Sequence, residues 1–135
     1  MVACAEAFKA TLDSKEFIYD IAQRDDGGTV IGIVISNRRT CFFFDGDDNG
    51  THAAVRTVFD KCPDDRLNDV LIVCNALNAQ YRWLKFYIDK DNDIMVEDDA
   101  ILTPETAGEE CFELLARTAN IIDKAKPQIM RALYA

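Results

Sequence analysis

The chain has a single histidine, His52, and only two serines, Ser14 and Ser36. Neither serine stands in a G-x-S-x-G elbow, so a serine nucleophile has no motif to rest on. With one histidine and no C-x-x-C spacing among Cys4, Cys41, Cys62, Cys74 and Cys111, the pattern of a zinc site is missing as well. There is no glycine-rich phosphate loop: Gly27 and Gly28 lie between acidic residues and a strand pattern, without the helix start or the lysine. No apolar run approaches the ~18 residues of a membrane span. Residues 1–12 lack the basic start, apolar middle and cleavage site of a signal peptide. The expectation is a cytoplasmic protein with reduced thiols. Cys41, Cys74 and Cys111 fall at apolar-periodic positions, where cysteine behaves as a small hydrophobe, which leaves Cys4 and Cys62 as the candidates for exposed thiols.

Basic clusters are equally scarce. Fifteen Lys and Arg face 24 Asp and Glu, a formal net charge of -9, and the longest basic grouping is Arg38-Arg39, read as a solvated turn. Binding to a phosphate backbone needs clustered cations, so neither nucleic acid nor an anionic membrane is expected as a partner. No Pro-, Gly- or Ser-rich linker and no internal repeat divides the 135 residues. One domain over residues 1–135 is expected, long enough to bury roughly two thirds of its unfolded surface.

What is present is periodicity. Residues 3–12 place Ala5, Phe8 and Leu12 on one helical stripe ending near Asp13-Ser14. Residues 17–22 alternate as a strand. After the Asp25-Asp26-Gly27-Gly28 turn, the β-branched run 29–35 is apolar on both sides, which predicts a strand covered on both faces. Residues 40–44 form the next strand, and Asp48-Asn49-Gly50 predicts a type I′ hairpin into 53–59. Pro63, Asp64 and Asp65 open a helix whose stripe is Leu67, Val70, Leu71, Cys74, Leu77 and Tyr81.

Beyond Arg82 the period changes to 2. Leu84, Phe86 and Ile88 then share one face, and Trp83, Lys85 and Tyr87 the other, with Ile94 and Val96 continuing the apolar face after an acidic turn. A long final helix starts with the capping box Thr106/Glu109 and carries Cys111, Leu115, Ile122, Ala125, Ile129 and Leu133, with Pro127 expected to end or kink it. The element order is α-β-β-β-β-α-β-β-α, an α+β fold with an antiparallel meander and flanking helices.

Two acidic clusters have partial calcium-loop spacing. Asp45, Asp47, Asn49 and Gly50 fit its first half, but Arg56 stands where a bidentate glutamate belongs; Asp89, Asp91 and Asp93 are followed by Ile94 and Ala100 at the glycine and glutamate positions. Both read as acidic hairpin turns, and no metal or cofactor is expected. Cys41 and His52 would make a nucleophile and base only if the sheet brought them together. Asn75 and Asn78, three apart, can address one surface. They serve either as a polar anchor for a ligand or as holders of local backbone, the latter being the ordinary fate of such amides. Trp83, Lys85 and Tyr87 form a candidate partner surface unless another helix covers them.

The segment Asn75-Ala76-Leu77-Asn78, then Tyr81-Arg82-Trp83-Leu84-Lys85-Phe86 and the turn Asp89-Lys90-Asp91-Asn92-Asp93, resembles the YbjN-like family of small bacterial proteins. Val30 and its neighbours, the Phe42-Phe43-Phe44-Asp45 strand, Pro63, Gly108-Glu109-Glu110-Cys111 and the tail from Pro127 extend the likeness over nearly the whole chain. The resemblance implies a fold similar to type III secretion chaperones. It also implies a link to sensory transduction, and a non-enzymatic protein-binding module acting as a homodimer. It carries no catalytic residues. Asn75, Asn78 and Phe86 would then be structural marks of the family. The competing reading is a small-ligand protein or enzyme with a carboxylate pocket near Asn75 and Asn78.

Overall fold

The computed structural model describes residues 1–47 and 49–134. The elements run α1 (Ala3–Ser14), β1 (Asp20–Gln23), β2 (Thr29–Ile35), β3 (Arg38–Phe44), β4 (His52–Lys61), a 3-10 turn (Asp64–Arg66), α2 (Leu67–Gln80), β5 (Lys85–Ile88), β6 (Asp93–Ile101) and α3 (Ala107–Tyr134). The six strands form one antiparallel sheet in the order β1-β2-β3-β4-β6-β5. The expected α+β order is thus the observed one. No helix among the described residues is long and apolar enough to cross a membrane.

Burial alternates along β3 and β4, and among the described residues every helix lies on one side of the sheet. Ile31, Phe42, Phe44 and Val55 pack with Phe8 and Leu12 of α1 and Cys111 and Leu115 of α3. Phe59, Phe86, Ile94 and Val96 pack with Val70, Cys74 and Leu77 of α2 and the later turns of α3. At 28 residues, about 42 Å by the helical rise, α3 straps the two clusters together. The buried hydroxyls of Thr40 and Thr57, 2.6 Å apart, satisfy each other.

α1 crosses α3 at close range because Gly108 has no side chain: a Cβ there would lie 2.3 Å from Thr11 Oγ1 and 2.9 Å from the Ala7 carbonyl oxygen. The free N-terminus of α1 is tied down by the Cys4 N–H donating to the Asn49 carbonyl at 2.8 Å.

Several expectations are corrected. The face of β2 and β3 away from the helices is uncovered by any described element, and Val34 is 69% exposed. Phe43 on that face is flanked by the guanidinium groups of Arg24 and Arg56, 5.9 and 5.8 Å from its ring, so long basic side chains do part of the work assigned to a second layer. The first strand starts at Asp20 rather than residue 17. Glu16 takes φ 61 after α1, the Phe17 N–H returns to the Leu12 carbonyl, and Phe17 packs edge-on against Phe112, 5.3 Å between ring centres. Cys4 and Cys62 are buried, and Cys41 is the partly accessible thiol.

The capping box does not form: Thr106 Oγ1 pairs with Thr103 Oγ1 at 2.8 Å. α3 runs through Pro127 to Tyr134, since a proline removes one N–H and the packing on both sides carries the helix past it. The expected Asp48-Asn49-Gly50 turn falls partly on Asp48, outside the described residues. β3 ends at Phe44 and β4 begins at His52, with Gly50 at φ 64.

Candidate functional site

The helix-free face is built from alternate residues: Val30 and Val34 of β2, Cys41 and Phe43 of β3, Ala54, Arg56 and Val58 of β4, Met95, Glu97, Asp99 and Ile101 of β6, and Lys85 and Tyr87 of β5. Their registers place Cys41 opposite Arg56, Phe43 opposite Ala54, Val58 opposite Met95 and Lys85 opposite Glu97. Val34, Val58 and Ile101 are exposed apolar residues on it.

Its polar centre is Glu97, which is only 7% exposed. The Tyr87 hydroxyl donates to one carboxylate oxygen, which also lies 3.4 Å from Arg56 Nε, and Lys85 Nζ lies 3.5 Å from the other. Burial pushes the Glu97 carboxyl up, but the Tyr87 hydrogen bond with the Arg56 and Lys85 charges outweighs it and holds the group below the usual carboxylate range. Burial and the same bond push the Tyr87 phenol up to about 12. Glu97 thus joins one hydrogen bond and two ion pairs, and ties two cations and one aromatic together on the sheet surface. Neither Arg56 nor Glu97 stood out as a site residue in the sequence. Their positions on adjacent strands become neighbours only through the register of β4 and β6, and the signal is one acid and one base at outward positions of two strands.

Lys85 and Tyr87 thus share the open face, but Trp83 does not sit with them as the strand alternation predicted. β5 begins at Lys85; Trp83 precedes it with φ 82, and its ring lies under Arg117 of α3, 5.4 Å from the guanidinium carbon. A positive φ breaks the alternation and turns the indole to the rim of the sheet, where it is 53% exposed.

Asn75 and Asn78 do not converge on one space. The Asn78 amide nitrogen donates to the Phe86 carbonyl at 3.0 Å, and its oxygen accepts the Phe86 N–H at 2.7 Å. The side chain acts as a one-residue strand partner on the outer edge of β5. Asn75 is exposed and has no side-chain hydrogen bond among the described residues.

The acidic loops do turn work. Asp47 Oδ1 accepts the N–H groups of Gly50 and Thr51, and Asp89 Oδ1 those of Asp91 and Asp93. Asp45, Asp47 and His52 bring ligand-type atoms within 4.8 Å of one another, all three exposed. Cys41 and His52 are not brought together: Cys41 faces Arg56, four residues along β4. Burial raises the thiols of Cys74 and Cys111 to about 11 and about 12, which makes both poor nucleophiles.

Among solved structures, this fold is similar to an uncharacterized protein from Methanothermobacter thermautotrophicus (TM-score 0.63, 15% identity, 96% of each chain covered). It is also similar to the Yersinia pestis type III secretion chaperone SycH, solved in complex with a stable fragment of YscM2 (TM-score 0.57, 12% identity, 93% of this chain and 98% of that one). A third is a chain of the HopA1-SchA chaperone-effector complex (TM-score 0.50, 15% identity, 90% and 94%). At such identities the likeness shows the fold, that of type III secretion chaperones. Comparison with curated protein sequences gives no match. The sequence profile of the family described as "YbjN: Putative bacterial sensory transduction regulator" matches residues 5–131. The chain belongs to the YbjN family.

Proposed function

We propose that this protein is a non-catalytic, chaperone-like module that binds another protein through the helix-free sheet face and its β5–β6 rim, in bacterial signal transduction. The observation that carries the reading is the uncovered face itself: six strands with all three helices on one side leave Val34, Val58 and Ile101 exposed around the Tyr87–Glu97–Arg56–Lys85 cluster. Apolar side chains left exposed on an open sheet face, around a charged cluster, make that face a candidate partner surface. Similar solved structures, SycH with a fragment of YscM2 and HopA1-SchA, are complexes with protein partners. The pocket reading around Asn75 and Asn78 loses its support, since one amide is occupied by backbone and the other is solvated.

Self-association as a homodimer belongs to this proposal too, with sedimentation at twice the 15.2 kDa chain mass as its check. The partner surface is tested by affinity capture from the native cell with the wild type and with a Trp83→Ala/Tyr87→Ala variant. Loss of one defined partner from the variant supports the assignment. An identical partner list removes the Lys85–Tyr87 face and the Trp83 rim from it.

A further inference from the structure

Resting on the protein-binding reading, we propose that the outer edge of β6 over residues 98–102 takes an extended peptide with alternating basic and apolar residues, added as a strand in line with β5. β5 pairs only with Ile94, Met95, Val96 and Glu97, whereas β6 continues to Ile101. The Leu102 N–H donates to the Thr51 carbonyl at 2.7 Å. By the alternation of a strand, the backbone groups of Ala100 and Leu102 face β4, and those of Asp99 and Ile101 face outward. The Phe86 groups bonded to Asn78 give the same phase: Lys85 and Tyr87 use the outward groups of Glu97 and Met95, and the next outward groups along the edge are those of Asp99 and Ile101.

The Asp99 N–H is held by Asp98 Oδ1 at 2.8 Å. Ile101 lies opposite His52 in the β4 register, but the His52 carbonyl accepts from the Asp45 N–H, so by the same alternation the Ile101 backbone groups and the Asp99 carbonyl point away from β4, and no described strand pairs with them on the other side. An open edge of this kind is a template for strand addition.

The space beside it is a groove of about 600 Å³ whose walls include Trp83, Ile101, Leu114, Glu109, Glu110 and Glu113. Trp83 takes a positive φ just before β5, and no described strand continues the line of β5 beyond Lys85. Among the described residues, four carboxylates border the groove, counting Asp99, and the one cation there, Arg117, is 2.7 Å from Glu113 with its guanidinium over the Trp83 ring. A second copy of this edge would set acid against acid, and a nucleic acid would be repelled. The occupant that fits is a basic strand with apolar residues toward Trp83 and Leu114. It would span about four residues, roughly 13 Å at the rise of a strand.

The probe is a fluorescent hexapeptide alternating lysine and valine, with a glutamate–valine counterpart and a copy N-methylated at alternate residues. Anisotropy titrations would show binding of the first, none of the second, and about tenfold or greater weakening of the third, because methylation removes backbone donors without changing charge. Exchange of the Ile101 amide should slow when the first peptide is bound. Ile101→Pro, which removes an outward N–H that no strand uses, should abolish binding at unchanged urea stability. Glu109→Lys/Glu110→Lys should abolish it too. Equal affinity for the methylated copy, an unprotected Ile101 amide, or no binding at all would overturn the inference. If the peptide fails while Trp83→Ala/Tyr87→Ala still loses a protein partner, only the strand-addition site falls.

Discussion

Replacing Asn78 by alanine removes two hydrogen bonds from the outer edge of β5 and leaves the Phe86 N–H and C=O without their partner. A typical protein hydrogen bond contributes about 0.5–1.5 kcal/mol net, and an orphaned, half-buried backbone group costs no less. Two of them give a loss of about 1–3 kcal/mol. Alanine is the better helix former by about 0.5 kcal/mol, so the net destabilisation expected is about 0.5–2.5 kcal/mol. Asn75→Ala, one turn earlier, removes no such bond and keeps the same propensity gain; it should be neutral or slightly stabilising. Urea unfolding of both variants, with amide exchange read at Phe86, makes the comparison internal to one helix. Asn78→Ala should lower the urea midpoint and speed Phe86 exchange, whereas Asn75→Ala should do neither. Equal midpoints for the two variants, or a Phe86 amide that exchanges at the wild-type rate in Asn78→Ala, would refute the strand-partner role.

Gly108→Ala should destabilise by about 1–3 kcal/mol despite its gain in helix propensity, since the new methyl meets Thr11 and the Ala7 carbonyl; thermal or urea unfolding measures it. Ellman titration of the native protein should label Cys41 slowly and leave the four buried thiols untouched until denaturant is added. Asp98 has one carboxylate oxygen buried without a partner, and burial followed by the Asp99 charge pushes its proton affinity up. A raised acid in the folded state weakens stability above its folded value and ceases to matter below the ordinary value near pH ~4. Asp98→Asn, which removes the buried charge while its oxygen can still accept the Asp99 N–H, should therefore stabilise at pH 7, and the advantage should vanish in acid. Glu97 runs the other way: its lowered acid contributes stability at neutral pH that is lost as pH falls through the folded value. Glu97→Gln should cost most at pH 7 and least in acid, as read by urea midpoints across that range.

The strands and helices were legible because each has a clean period, as in the run 29–35 or the stripe Cys111, Leu115, Ile122, Ala125. What surrounds them was less so. Val30, Val34 and Phe43 look like core in a one-dimensional pattern, and only the packing shows that helices cover one side while arginine stems cover part of the other. Residues 17–19 alternate like a strand, but Phe17 is drawn to Phe112, nearly a hundred residues away, before the backbone reaches β2. Trp83 sits where a single positive φ overrides an alternation that holds from Lys85 onward. The Glu97 cluster depends on strand register, which pairs side chains ten to forty residues apart in sequence and leaves no local mark. Asn75 and Asn78 are one turn apart and differ only in whether β5 comes within reach.

Whether another protein binds at the helix-free face can be read most directly by site-specific photocrosslinking in the native cell. A photoreactive phenylalanine would be placed at Val34 or Val58 on that face, and at Asp123 on the exposed side of α3 as a reference. The same discrete protein adduct is expected from positions 34 and 58, and none from 123. No adduct from the sheet face, or an identical pattern from the reference helix, would contradict binding there.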